Sequence, residues 1–206
     1  MSEVRLATHA EIPTLAAVLA RAFANDPFYR YLAGDAPERS QRMRDGWSAL
    51  LRHASADLRA TYTTDDHAGV ALWQPPGTLG PSFIDSLRLL PAMSRLAGGF
   101  GHLREVSRAM SFLEERRQRH APGSHYYLAA LGVEPERQGE GIGTALVQPA
   151  LALADADSLP AYLETATGRN VLLYERLGFA VVEELTLPDT DVHGWLMLRR
   201  PGPAAR

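Results

Sequence analysis

Cysteine is absent from the 206 residues. That excludes disulfides, thiolate metal ligands and any covalent intermediate carried on a cysteine. The seven histidines are scattered. None forms a His-x-x-x-His pair or similar spacing, so no metal is expected. No apolar run approaches the ~20 residues that span a bilayer, and the opening MSEVRLATHAEIP has no apolar signal core. The expected location is therefore cytoplasmic, with no membrane partner. A basic excess is also missing. The formal net charge is −3 and the pI about 6.2, which is not the footprint of a nucleic-acid binder. Arg116, Arg117 and Arg119 form one local basic cluster and are read as a solvated helix end, since cations favour helix C-termini.

What remains is the balance of a globular protein, with 46% hydrophobic and 22% charged residues. The length fits a single domain over residues 1–206 with a sizeable core. Residues 4–7 read as a short strand. Thr8 and Glu11 then form a capping box, Thr-x-x-Glu, with Pro13 in the first turn. Ile12, Leu15, Ala16, Leu19 and Phe23 recur at helical spacing, and Asn25, Asp26 and Pro27 stop that helix. A second helix is expected over 39–54, with strands near 59–63 and 67–73 flanking a turn at Asp65 and Asp66. Residues 82–121 read as a helical insert broken at Pro91 and at Gly98 to Gly101. From residue 125 the expected order is strand, Gly-rich turn, helix to about 155, strand at 161–165, short helix at 170–177, and strands at 179–187 and 194–198. This alternation gives an α/β (α+β) class with a mixed central β-sheet flanked by helices. Pro149 should kink or end its helix, because an interior proline removes a hydrogen bond.

The segment from Leu131 to Leu146 carries the chemistry. An apolar strand runs in, an amphipathic helix runs out, and Gly139, Gly141 and Gly143 stand at every second position between them. Glycine permits unusual φ and close backbone approach. The first amides of a helix lack internal partners and carry partial positive charge. Together these make a cradle for a phosphate or diphosphate. The spacing is not the Gly-x-Gly-x-x-Gly of dinucleotide folds, and the turn lacks the lysine of a P-loop. A tight turn that binds nothing stays open on the glycines alone.

Gln138-x-x-Gly141-x-Gly143, preceded by Leu131-Gly132-Val133-x-Pro135, resembles motif A of the GNAT superfamily of N-acetyltransferases. Tyr174-Glu175-Arg176-Leu177-Gly178-Phe179, with Asn170 four residues before the tyrosine, is similar to motif B of the same superfamily. The resemblance implies the GNAT fold, with residues 125–179 as the acetyl-CoA-binding core. It implies acetyl-CoA as cosubstrate and no metal. The loop residues Gln138, Gly139, Glu140, Gly141, Ile142, Gly143 and Thr144 would hold the diphosphate. Leu131, Gly132 and Val133 would pair with the pantetheine arm, and Asn170 would lie near it. Tyr174 would protonate the leaving thiolate. Within the superfamily the chain is most similar to puromycin N-acetyltransferase-like members, through the opening Val4-Arg5-Leu6-Ala7-Thr8, Val70-Ala71-Leu72-Trp73, residues 127–179 and Gly194-Trp195-Leu196-Met197. The match is poor over 82–121, where the amine pocket should differ; Phe83, Leu87 and Phe100 are expected to face inward there.

Acetyl transfer needs a neutral amine, yet a primary amine with a pKa near 10 is almost wholly ammonium at pH 7, so a base is required. Glu164 is the first candidate, because it ends a strand beside the cofactor strand. Asp26, in the loop after the first helix, is the second. Glu134 is expected to be solvated. His125 and Tyr126 are more often edge or core residues than bases. The expected acceptor is a small-molecule amine attacked directly in a ternary complex, with a homodimer possible. A protein N-terminal or lysine acetyltransferase and a non-catalytic acetyl-CoA-binding module are the alternatives.

Overall fold

The computed structural model describes residues 2–34, 37–54, 60–77 and 100–202. Seven strands run as β1 (Val4–Leu6), β2 (Thr61–Thr64), β3 (Gly69–Gln74), β4 (Tyr126–Val133), β5 (Ala161–Thr165), β6 (Ala180–Thr186) and β7 (His193–Arg199). Among the described residues six helices accompany them: α1 (Ile12–Ala22), α2 (Pro27–Ala33), α3 (Arg39–Ala54), α4 (Phe100–His120), α5 (Ile142–Ala156) and α6 (Gly168–Arg176). The strands make one mixed sheet in the order β1-β2-β3-β4-β5-β7-β6. Only β4 and β5 are parallel neighbours.

The sheet is covered on both faces. Val70 and Leu72 of β3 pack under α1 and α3, while Ala71 and Trp73 pack under α5. A strand buried on both sides reads as a continuous apolar run, as Val70-Ala71-Leu72-Trp73 does. The stripe Ile12, Leu15, Ala16 and Leu19 is the buried face of α1. Two glycines let helices approach this closely. A Cβ on Gly132 would lie 2.8 Å from Leu19 and 3.0 Å from Ala22 of α1, and a Cβ on Gly69 would lie 2.7 Å from Leu146 of α5.

The centre of the sheet is split. Leu72 faces Ala130 and Trp73 faces Leu128, so Ala129 is an extra residue in β4. A bulge of this kind bends and twists its strand. On its other edge β4 pairs with β5 only at Tyr126↔Ala161 and Tyr127↔Tyr162. Beyond that point the two strands are not paired, although β4 continues to Val133 and β5 to Thr165. The far side of the split is anchored by Arg199. Its guanidinium donates to both carboxylate oxygens of Asp155 on α5 at 2.7 Å and to the Leu177 carbonyl after α6 at 3.0 Å.

The structure adds to three expectations. The first helix stops before Asn25, Asp26 and Pro27 as expected, and Asp26 then accepts from the Phe28 and Tyr29 amides and caps a further helix, α2. Of the kink or early end expected at Pro149, the early end does not occur, since α5 runs through it to Ala156. Phe100 and Gly101, the end of the expected break, lie in α4, which runs to His120. The rest of the expected insert, including Phe83, Leu87, Pro91, Gly98 and Gly99, lies outside the described residues, as does the Phe100 side chain.

Gly132→Val should lower the free energy of unfolding by about 1–3 kcal/mol, the cost of overpacking a filled core. Gly143→Ala is the control, because its Cβ would meet nothing nearer than 3.6 Å. Denaturant titration of both variants checks this; equal midpoints would show that α1 can yield at Leu19.

Candidate active site

The glycine turn is built as its sequence suggested. β4 ends at Val133, a 3-10 turn spans Pro135–Arg137, and Gly141 is the N-cap of α5. Gly139 and Gly141 have φ of +90° and +83°, a left-handed region that side chains with a Cβ enter only at a cost of about 1–2 kcal/mol. The space in front of both is open, with nothing within 4 Å of an added Cβ. The first intrahelical bond runs from the Ala145 amide to the Gly141 carbonyl at 3.0 Å. The amides of Ile142, Gly143 and Thr144 therefore have no partner inside the helix. Unpaired amides facing open space fit a diphosphate.

This turn forms one wall of a cleft of about 600 Å³. The α1–α2 corner and α6 form the others. Leu131, Gly132, Val133, Gln138, Gly139, Gly141, Ile142, Gly143, Thr144, Asn170 and Tyr174 all line it. Two of the expected site residues do not. Glu140 turns its carboxylate to Arg137 at 2.8 Å, so only its backbone belongs to the turn. Glu164 lies on the other face of the sheet.

Tyr174 is buried, with its ring edge-on to Phe179 at 5.9 Å between centroids. Burial first, and the charge of Asp26 second, push its phenol well above the ordinary 10, so it keeps its proton. Asp26 lines the same cleft. One carboxylate oxygen accepts from the Phe28 and Tyr29 amides at 2.9 and 3.1 Å, and the other accepts from the Thr167 hydroxyl at 3.4 Å. Burial raises its pKa and these hydrogen bonds oppose the rise.

Glu164 occupies a different setting. Along β5, Tyr162 and Glu164 point to one face, and Tyr127 packs against Tyr162 on that face, with ring centroids 6.2 Å apart. Tyr127 and Tyr162 are the last paired positions of the two strands, so Glu164, two residues on, borders the split. Its half-buried carboxylate is pushed up to about 7. Desolvation drives the rise; hydrogen bonding toward Tyr127, the charge of Arg117 and the Tyr162 hydroxyl oppose it. The Tyr162 hydroxyl is buried with no partner in good hydrogen-bonding geometry, although Glu164 is close enough to raise its pKa. The Tyr29 phenol is pushed up first by burial and then by both Asp26 and Glu164.

Arginines 116 and 117 are not a solvated helix end. Arg117 lies 4.9 Å over the Tyr127 ring and is paired with Glu114. Arg116 lies 4.5 Å over Phe112 and reaches Glu183 at 3.2 Å. Ring faces attract these cations and shield their stems; only Arg119 is largely exposed. Glu134 is not solvated either, because Arg21 grips it in a two-pronged pair. Tyr126 donates to Asp157 at 2.6 Å on the α5 side, away from Glu164. His125 Nδ1 bonds the Gly123 carbonyl at 2.8 Å. Sequence reasoning missed Tyr29, Tyr127 and Arg117. Strand alternation could have found Tyr127, because the parity that puts Tyr126 under α5 puts its neighbour on the opposite face.

Comparison with known proteins follows the same lines. The model of the acetyltransferase (GNAT) family matches residues 96–179. An uncharacterized N-acetyltransferase of Schizosaccharomyces pombe is 26% identical over 193 residues, covering 90% of this chain and 78% of that protein. A Corynebacterium glutamicum structure described as histone acetyltransferase HPA2 and related acetyltransferase is 25% identical, with a TM-score of 0.70 over 98% of each chain. A mosquito protein described as arylalkylamine N-acetyltransferase like 5b, 16% identical, shares the fold with a TM-score of 0.66 over 97% of this chain and 100% of its own. The fold is the GNAT fold, and these matches support an acetyltransferase of that superfamily. Among the described residues no group of three or more His, Cys, Asp or Glu could hold a metal, and no helix is long and apolar enough to cross a membrane.

Glu164 makes a pH-dependent contribution to stability. Its folded pKa of about 7 lies above the ordinary 4.5. Its contribution is fully present below pH 4.5 and is lost as pH rises through 7. Glu164→Gln removes this loss, so the melting temperature of the variant relative to wild type should climb between pH 4.5 and 7 and then level off. A difference that stays flat across that window would mean Glu164 titrates as an ordinary surface carboxylate.

Proposed function

We propose that this chain transfers an acetyl group from acetyl-CoA to the primary amine of a small molecule, by direct attack in a ternary complex. The observation that carries the reading is the split between β4 and β5. It has a phosphate-fitting turn on the α5–α6 face and a carboxylate with a pKa near 7 at its edge on the opposite face. A thioester seated in the split would have Tyr174 on one side and Glu164 on the other.

Each residue then has a defined task. The turn amides and the open β4 edge bind and orient the donor. Glu164 takes a proton from the incoming ammonium; a base is most useful when its pKa lies near the working pH. The freed nitrogen forms a bond to the thioester carbonyl carbon and the carbon–sulfur bond breaks. An unpaired β4 amide stabilises the charge that develops on the carbonyl oxygen. The Tyr174 hydroxyl supplies a proton to the departing sulfur, and the second proton that leaves the nitrogen as the amide forms restores the phenol. Tyr127 and Arg117 hold Glu164 in place and keep it from being protonated at still higher pH.

Several observations favour a small acceptor. Phe28 and Tyr31 from α2 and Ala109, Phe112 and Leu113 from α4 pack over Tyr127 and Tyr162. This roof narrows the Glu164 face and leaves less room for an extended peptide. The similarity to puromycin N-acetyltransferase-like members makes puromycin a reasonable first compound in an amine library. The name of the Corynebacterium glutamicum relative favours a second reading, a protein lysine acceptor; acetylated peptides after incubation with labelled donor would reveal it.

Acetyl-CoA at about 100 times its Kd should stabilise the fold by roughly 2.7 kcal/mol. The absence of any thermal shift at millimolar donor would overturn the reading. With an accepted amine, Glu164→Gln should lower kcat/KM by about 10²–10⁴-fold and abolish the rise in rate near pH 7. Tyr174→Phe should lower kcat and kcat/KM together, at the low end of that range, with donor affinity unchanged. Wild-type kcat in either variant would remove that residue from the chemistry.

A further inference from the structure

We propose that Arg169 binds a phosphate of the acetyl donor, acting as a clasp between α6 and the glycine turn. The proposal rests on the acetyl-CoA reading above. Four arginines line the cleft: Arg21, Arg137, Arg169 and Arg176. Two of them are already neutralised. Arg21 is held by Glu134 at 2.9 Å, and Arg137 by Glu140 at 2.8 Å and Asp66 at 3.1 Å. Arg169 instead reaches across the cleft to a neutral group, donating to Gln138 Oε1 at 2.7 Å. Gln138 Nε2 in turn donates to the Val133 carbonyl at 3.3 Å. Among the described residues no carboxylate pairs with Arg169.

Position separates Arg169 from the fourth arginine. Arg176 follows seven residues later, so it shares a side of α6 but lies ~10 Å further along the axis. Arg169 alone is tied to the turn whose amides fit a diphosphate. Its bond to Gln138 uses one arm of the fork and leaves the other N–H donors free. Gln138 also restrains the side chain, so less freedom is lost when an anion arrives. A guanidinium fork suits phosphate because it can donate two parallel hydrogen bonds. All 21 basic residues of the chain are arginine, so no lysine competes for this role. Coenzyme A offers two sources of the same chemistry, its diphosphate and its 3′-phosphate.

Arg169 is exposed, so Arg169→Ala should fold as wild type, which a melting curve checks. Calorimetry of both proteins with coenzyme A, dephospho-coenzyme A and pantetheine tests the proposal. The variant should bind coenzyme A roughly 10- to 100-fold more weakly, as expected for loss of a charged hydrogen bond, while pantetheine affinity stays the same. If the 3′-phosphate is the partner, dephospho-coenzyme A binding will not respond to the substitution. If the diphosphate is the partner, dephospho-coenzyme A will weaken by the same factor as coenzyme A. Wild-type affinity for coenzyme A in the variant would overturn the proposal. So would an equal loss for pantetheine, which would mark Arg169 as a structural brace. A wild-type protein that binds none of the three would sink the acetyl-CoA reading itself, a result no property of Arg169 could produce.

Discussion

The parting of β4 from β5 is the constraint on which the site depends. A parallel pair that stayed in register would satisfy both strand edges and leave no opening. Here the extra residue Ala129 bends β4 while its pairing with β3 continues on either side of the bulge. Helices press from both faces and set the strand's path. α1 comes so close to Gly132, and α5 to Gly69, that neither position has room for a Cβ without movement of the facing side chain. The released β4 edge leaves backbone donors and acceptors that need partners, and a ligand carrying amides of its own, as the pantetheine arm does, can supply them. Gly132 lines the cleft, yet what demands a glycine there is the approach of α1.

The two half-buried carboxylates show why similar surroundings give different chemical promise. Desolvation is the largest influence on both Asp26 and Glu164. Asp26 spends one oxygen capping α2 and accepts from Thr167 with the other, so its hydrogen bonds tie the α1–α2 corner to the loop before α6. Glu164 is opposed by two phenols and a guanidinium, and desolvation still wins far enough to bring it to about 7. Asp26 is thus committed to structure, whereas Glu164 remains a group whose proton can move near neutrality. Arg117 contributes twice, since it packs on the Tyr127 ring and places a positive charge near Glu164.

Much of the phosphate side was legible in the sequence, because its requirements are local. Positive φ at Gly139 and Gly141, the start of α5 and the end of α6 at Gly178 each follow from a few adjacent residues. The Glu164 side was not, because its partners come from α2, α4, β4 and β5. Asp26-Pro27 was read as a stop for α1, which it is; that a capping aspartate followed by proline also starts a helix was not drawn from it. The arginines near 117 were assigned to solvent because helix-end charge is a local rule, and nothing local shows that Tyr127 waits beneath. Pro149 was expected to kink or end its helix, and it does not end there because tertiary packing carries the helix on: Val147, Ala150, Leu151 and Ala154 bury it against the sheet.

The distribution of charge across the split follows from these placements. Uncompensated cations stand on the α6 side, where Arg169 and Arg176 face the cleft. The ionisable carboxylate Glu164, with the Arg117 charge near it, stands on the opposite face of the sheet. On the acetyl-CoA reading, the donor's phosphates would be drawn to the α6 side, while the acceptor amine would meet Glu164 on the opposite face. Within a Debye length of about 8 Å this bias is little screened at physiological salt. The net charge of −3 conceals the separation because it averages over both faces. On that reading, a split sheet lets donor and acceptor enter from different faces and still brings their reacting atoms together at the gap.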